Sequence, residues 1–273
     1  MQKTRGEWVV LNKLLVESID ISHTKLPIGK TAYEVIKVIE GKPLFVSQHF
    51  KRLQESTQKS GIALNLTEIE VLNSIKALVN SNNISIGNIE ISISKNHILV
   101  RFIPHSYPTP EMYKVGVHVG FYYAERNNPT VKIKNNRLRN NINKIIKEKG
   151  YFEVLLVSKQ GYITEGSRSN IMFIDNNNKV YTAPDSHVLK GVTRQTVMDI
   201  CKKLNIEVIT KPITKQMLND FSAAFLTGTS PGVIPIKSIG YKSLSIENQT
   251  LQSIVNEFQC AISNEQLAIS NEQ

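Results

Sequence analysis

Apolar residues alternate with polar ones in some stretches of this chain and recur every three to four positions in others, and the two patterns divide it into strands and helices. WVVLN (8–12) and YEVIKVI (33–39) read as strands, with GKP (41–43) as a turn before a short strand LFV (44–46). A helix is expected over 48–59. A second helix begins with a capping box, in which the Thr67 hydroxyl accepts from the Glu70 amide and the Glu70 carboxylate accepts from the Thr67 amide. Val71, Ile75, Leu78 and Val79 then follow at helical spacing. IEISIS (89–94) and HILVRFI (97–103) form a hairpin that turns at Lys95 and Asn96.

Periodicity then lapses. YPTPEMY (107–113) is a proline-punctuated turn and YYAERNNPT (122–130) is polar and aperiodic, so a domain boundary is expected there. Beyond it come a helix over 135–149, the hairpin FEVLLVSKQGYITE, a strand IMFID, a helix opening at Gly191 and a β-rich segment around FSAAFLTGT. These elements predict an α+β chain: a small α/β domain over 1–121, a linker over 122–128, and a larger β-rich domain with flanking helices over 129–257. In the remainder, 258–273, the hexapeptide AISNEQ occurs at 261–266 and again at 268–273, which reads as a low-complexity extension.

With 273 residues, 41% of them hydrophobic, the chain can bury two ordinary cores, in keeping with two domains. No run approaches the roughly 18 apolar residues of a spanning helix. The opening MQKTRGEWVVLNK has no secretory h-region, so a cytoplasmic location and no membrane partner are expected. Cys201 and Cys260 stand alone without metal-ligand spacing, which predicts neither a disulfide scaffold nor a metal site. The formal charge of +10 raises nucleic acid as a partner, and KIKNNRLRNNINKIIKEKG (132–150) holds much of the excess. There is no zinc-finger spacing, RNP-like aromatic motif or arginine-rich tail, so a solvated basic face is the simpler reading. A basic nucleic-acid-binding protein without catalysis stays as the alternative of another class.

Several residues suit the chemistry of a phosphate-bearing cofactor. GVTRQTVMDICKKLN (191–205) opens a helix whose first amides, at Val192 and Thr193, favour a bound anion. TGTSPG (227–232) adds a turn with hydroxyls, among them Thr229 and Ser230, and Arg52 offers a guanidinium fork.

The order of these motifs resembles the fold-type IV pyridoxal-phosphate enzymes, the class IV aminotransferase family, over about residues 5–245. The resemblance is carried by YEVIKVIEGKPLFVSQHFKRLQES (33–56), VKIKNNRL, FEVLLVSKQGYITEGSRSNIMFI, APDSHVLKGVTR and FLTGTSPGVIPI, five motifs in the family's order. It implies pyridoxal 5'-phosphate as cofactor and Lys132 as the Schiff-base lysine, since Asn135 follows at +3 and Glu165 lies 165 − 132 = 33 residues on. Lys134 competes for that role. Glu165 would face the pyridine nitrogen, Arg52, Val192, Thr193 and Thr229 would hold the phosphate, and Ser167 and Asn170 would shape the loop beside the ring.

The resemblance further implies a homodimer acting on small-molecule amino acids and 2-oxo acids. Two positions depart from the family: Arg137 stands where many branched-chain enzymes place a tyrosine, and Lys37 where an arginine is common. Candidate substrate groups are Lys30, Tyr33, Lys37, Arg101, His105, Arg137, Ser230 and Lys237. Their cations favour an acidic pair, D-glutamate and 2-oxoglutarate. Tyr33, Phe45, Tyr107 or Tyr122 would instead line the apolar pocket of a branched-chain L-amino-acid aminotransferase, and the lysine motif also resembles aminodeoxychorismate lyase.

Overall fold

A computed structural model describes residues 5–19 and 29–271. The chain divides into two compact units, one built from Met1–Ser106, Val131–Lys134 and Ile262–Gln273, the other from Tyr107–Thr130 and Asn135–Ala261.

The first unit is a six-stranded antiparallel sheet with two helices. Its strands are β1 (Trp8–Leu11), β2 (Leu14–Glu17), β3 (Ala32–Ile39), β4 (Lys42–Pro43), β5 (Gly87–Ser94) and β6 (His97–Ile103), in the order β2-β1-β6-β5-β3-β4. Helix α1 (Val46–Ser60) and helix α2 (Glu68–Asn82) pack their apolar positions on the sheet. In β3 the pleat alternates strictly: Ala32, Glu34, Ile36 and Val38 are buried, while Tyr33, Val35, Lys37 and Ile39 are half-buried on the other face. The capping box at Thr67 is formed as the sequence predicts, and the Lys95-Asn96 turn joins β5 to β6.

The run LFV does not form the expected strand. Phe45 takes a left-handed conformation, φ 55°, and Val46 already opens α1. A three-residue apolar run suits either element, and here helix entry buries it. Helix α1 has no side-chain cap of its own. Instead the Phe45 amide donates to Glu265 Oε1 at 2.9 Å, and Lys42 Nζ donates to Ser270 Oγ at 2.6 Å. Both acceptors belong to the duplicated tail. The expected low-complexity extension is therefore the end of a 23-residue helix, α6 below, whose residues from Ile262 count with this unit; residues 272 and 273 lie outside the described residues.

The second unit holds α3 (Pro110–Val115), β7 (Val117–Tyr123), α4 (Asn136–Lys149), β8 (Glu153–Val157), β9 (Tyr162–Gly166), β10 (Asn170–Asp175), β11 (Val180–Thr182), α5 (Val192–Lys203), β12 (Val208–Thr210), β13 (Ile213–Thr214), β14 (Phe221–Gly228), β15 (Gly232–Ile239), β16 (Lys242–Ser243) and α6 (Gln249–Asn271). Its mixed sheet runs β12-β11-β10-β14-β15-β7-β8-β9-β13, with β16 on β15 and parallel pairing at β15–β7, β7–β8 and β11–β12. Two sequence expectations give way here. YPTPEMY contains the start of α3, where Thr109 accepts from the Met112 amide and Pro110 sits at the first helical position, where its missing N–H costs nothing. The expected linker at 122–128 begins inside β7, whose run VHVGFYY is buried mainly through Val117, Val119 and Gly120.

The two sides of α2 make a direct test of where the first core lies. Leu78 is fully buried and Ile69 is 69% exposed. Leu78→Ala should lower unfolding free energy by about 2–5 kcal/mol. Ile69→Ala should change it by less than about 0.5 kcal/mol. Urea unfolding of the two variants reads the difference, and equal midpoints would contradict this packing.

Candidate active site

In the first unit, the segment Val131–Lys134 lies beside the start of β3. The Tyr33 amide donates to the Lys132 carbonyl at 3.1 Å, the Lys134 amide donates to the Thr31 carbonyl at 3.0 Å, and Ala32 and Ile133 form an isolated bridge. The Lys132 amide donates to Ser56 Oγ of α1 at 3.2 Å. Alternation then sorts the side chains: Ile133 packs on the apolar core, whereas Lys132 and Lys134 reach the ring of Tyr33, their Nζ atoms 4.9 and 5.7 Å from its centroid. Of the two candidate lysines, Lys134 pairs its Nζ with Glu90 at 2.8 Å.

Arg52 is buried in α1 and grips Glu34 with two parallel bonds, Nε to Oε1 at 2.7 Å and Nη2 to Oε2 at 2.7 Å. His49, one turn earlier, lies with Nδ1 2.9 Å from Glu34 Oε2. Burial of Glu34 by itself raises its pKa, but the Arg52 charge and the bonds from Arg52 and His49 more than offset this, and the carboxyl sits far below the usual range. Burial pushes the His49 imidazole down, so the neutral ring donates its Nδ1 hydrogen to the carboxylate.

The opposite face of the same sheet carries a second charged group. Val35, Glu90 and Arg101 are cross-strand neighbours, and the buried Glu90 accepts from Arg101 Nη2 at 3.1 Å as well as from Lys134. Burial tends to raise the Glu90 pKa, yet Lys134 and Arg101 hold it below the ordinary range. Tyr33 and Lys37 share this face, and burial lowers the Lys37 pKa.

In the second unit the centre is Glu165, the fourth residue of β9 and 4% exposed. Arg126 Nη1 donates to its Oε1 at 2.9 Å, and the Leu189 amide and Asn170 Nδ2 donate to its Oε2 at 3.0 and 3.4 Å. Asn170 also donates to the Leu189 carbonyl at 2.9 Å, so the start of β10 is tied to the chain entering α5. Asn170 pairs in register with Thr227 of β14, which brings the Thr227–Ser230 turn to the same end of the sheet.

Pyridoxal phosphate, implied by the sequence resemblance, needs an anionic partner for its ring nitrogen and amide or hydroxyl donors for its phosphate. The second unit fits both needs. Glu165 is a buried carboxylate fixed by three donors. Gly191 caps α5 without a side-chain bond, so the first-turn amides at Val192 and Thr193 remain for an anion. A Cβ on Gly191 would collide with Asn170 Oδ1, so only glycine lets the helix start come this close. Thr227 Oγ1 is buried and, among the described residues, has no hydrogen-bond partner, as expected of a hydroxyl set aside for a ligand.

Some candidates stand elsewhere. Lys30 and Arg137 are exposed. His105 lies past the end of β6, its Nδ1 3.2 Å from the Ile103 carbonyl, and burial lowers its pKa. Lys237, five residues beyond the start of β15, sits at the far end of that strand from the Thr229–Ser230 turn, near the start of β7 and the paired β16, because an extended strand carries it roughly 3.3 Å per residue away. Sequence reasoning missed Arg126, Glu34, His49, Glu90 and Glu153. Arg126 lies in the aperiodic YYAERNNPT, where no spacing singles it out. Glu34, Glu90 and Glu153 read as ordinary strand residues, and their one signal is a carboxylate at a position where the pleat demands burial.

The family described as Amino-transferase class IV matches residues 31–239. D-alanine aminotransferase from Bacillus licheniformis is 27% identical over 250 residues, covering 85% of this chain and 88% of its own. Among solved structures, the branched-chain amino acid aminotransferase of Escherichia coli aligns with a TM-score of 0.82 at 19% identity over 96% of each chain. The T.th. branched-chain amino acid aminotransferase with pyridoxamine 5'-phosphate gives 0.81 at 20% identity, again over 96% of each chain.

The Glu34–Arg52 pair predicts a pH dependence. Glu34→Gln leaves a buried guanidinium without its counter-charge and should cost about 3–5 kcal/mol at neutral pH. A carboxyl with a depressed folded pKa stabilises above its unfolded value, ~4.3, and loses that contribution as pH falls through the folded value. Urea unfolding from neutral pH to the acid side should therefore show wild-type stability falling more steeply below about pH 4–5 than that of Glu34→Gln. Parallel curves would contradict the charge state assigned to this pair.

Proposed function

Because this chain belongs to the class IV aminotransferase family and is a pyridoxal-phosphate-dependent transaminase, we propose that Lys132 is its cofactor-bearing lysine and that it moves amino groups between D-amino acids and 2-oxo acids, D-glutamate and 2-oxoglutarate first. The observation that carries the lysine assignment is the pairing of Lys134 Nζ with Glu90 at 2.8 Å, which engages the competing amine. Of the residues that the family resemblance assigns, Lys132 and Arg52 belong to the first unit, and Glu165, Ser167, Asn170, Val192, Thr193 and Thr229 to the second.

When bound, the cofactor supplies an electron sink for the pair left at the substrate Cα. Glu165 would face the ring nitrogen and favour its proton, and Arg126, Leu189 and Asn170 hold the Glu165 carboxylate in one orientation. The Val192 and Thr193 amides and the Thr229 turn would hold the phosphate, and the family resemblance gives Arg52 the same role. The Lys132 amine would take the substrate Cα proton as general base and give it up, as general acid, on the cofactor side.

The acidic substrate pair is supported by the cations on the face of the six-stranded sheet that carries Tyr33, where Arg101 and Lys134 both pair with Glu90 and Lys37 shares the face. A homodimer follows from the family resemblance. A cytoplasmic setting accords with the free thiols of Cys201 and Cys260, and no helix among the described residues is long and apolar enough to cross a membrane.

Two measurements test this reading. Borohydride reduction of the holoenzyme followed by peptide mapping should place the cofactor mass on Lys132, and Lys132→Ala should abolish turnover; modification at Lys134 would reject the assignment. The visible band of the holoenzyme should bleach with D-glutamate. Bleaching by L-leucine and by neither D-glutamate nor D-alanine would reject the stereochemical reading in favour of a branched-chain enzyme.

A further inference from the structure

Glu153 opens β8 and is 3% exposed, yet none of the proposed roles uses it. Its carboxylate is fully engaged. Oε1 accepts from Ser167 Oγ at 2.6 Å and from the Val154 amide at 2.9 Å, while Oε2 accepts from the Arg168 amide at 3.1 Å and Ser169 Oγ at 3.3 Å. Three of these donors lie in the tripeptide between Glu165-Gly166 and Asn170. A further bond, from the Ser167 amide to the Val154 carbonyl at 3.0 Å, pins the same turn to β8.

Arg139 of α4 closes the arrangement from the other side. Its Nη1 donates to Ser167 Oγ at 2.9 Å and its Nη2 donates to the Ser167 carbonyl. Ser167 thus accepts from a guanidinium and donates to a carboxylate, which fixes its hydroxyl hydrogen without ambiguity. The turn is also sterically closed, since a Cβ on Gly166 would collide with Ser169 Oγ and press on Glu153 Cγ. A turn of polar residues that would otherwise sample several conformations is held in one.

We propose that Glu153 is a positioning residue for transamination: by gripping the 167–169 turn it sets where Glu165 and Asn170 stand. The inference rests on the reading of Glu165 as the partner of the ring nitrogen. The geometry makes the coupling direct, because Glu165 and Asn170 flank the turn and Asn170 in turn donates to Glu165. Serines 167 and 169 and the Arg168 amide face Glu153, so slack in this turn passes to both ends of it.

Glu153→Gln is the discriminating substitution. Each carboxylate oxygen accepts a backbone amide, so whichever way the carboxamide turns, its NH2 faces either the Val154 or the Arg168 N–H. The turn must then shift, with little change in side-chain volume. In the holoenzyme, kcat should fall by roughly ten- to a hundredfold with KM for the amino donor unchanged. The nitrogen-15 resonance of ring-labelled pyridoxal phosphate should move from its protonated position toward the unprotonated one. Glu165→Gln serves as the reference. A Glu165→Gln holoenzyme with an unmoved resonance defeats the reading of Glu165 itself. A moved resonance there, with Glu153→Gln folded and unchanged in both resonance and kcat, overturns the positioning role alone. Where Glu153→Gln fails to fold, the double variant Ser167→Ala, Ser169→Ala removes two of the four donors and is judged by the same readouts: a shifted resonance with lower kcat supports the proposal, and wild-type values of both overturn it.

Discussion

A glutamate side chain costs several kcal/mol to remove from water as an ion, and it stays buried only where donors replace the lost hydration. Four glutamates are buried among the described residues, Glu34, Glu90, Glu153 and Glu165, and much of the polar architecture can be traced from what each one accepts. Glu165 takes an arginine, a backbone amide and an asparagine. Glu153 takes two amides and two serine hydroxyls. Because these donors come from different stretches of sequence, each carboxylate works as a node that fixes loops which have no core of their own.

The first unit uses the same device on both faces of one sheet. On the helix-covered face, Glu34 binds the α1 residues Arg52 and His49 into the core, so a charged fork lies among apolar neighbours at fixed orientation. On the other face, Glu90 gathers Arg101 and Lys134. Lys132 and Lys134 leave the same short segment on the same side, toward the ring of Tyr33, and Lys134 pairs with Glu90, more than forty positions earlier in the chain.

Much of the fold was legible along the chain. Val71, Ile75 and Leu78 announced a helix by spacing, the Thr67–Glu70 box marked its start, and β3 alternated as read. The failures were local and share a cause. LFV was too short for its period to separate a strand from a helix entry, and the AISNEQ duplication looked featureless because its contacts, Glu265 with the Phe45 amide and Ser270 with Lys42, depend on partners over two hundred residues away.

By itself the sequence determined the element pattern, the class of cofactor implied by five ordered motifs, and the residue types at the candidate site, because these depend on periodicity and on chemistry carried by neighbouring residues. The tertiary structure decided the rest: that Lys134 pairs with Glu90, that Lys132 and Lys134 both reach Tyr33, that Arg52 grips Glu34, that Arg126 and the Leu189 amide hold Glu165, and that Lys237 stands at the far end of its strand from the Thr229–Ser230 turn. Each of those facts is a meeting of groups distant in sequence or a direction along a strand. A hydrogen bond is set by distance and angle in space, and spacing along the chain carries no record of either once the chain has turned.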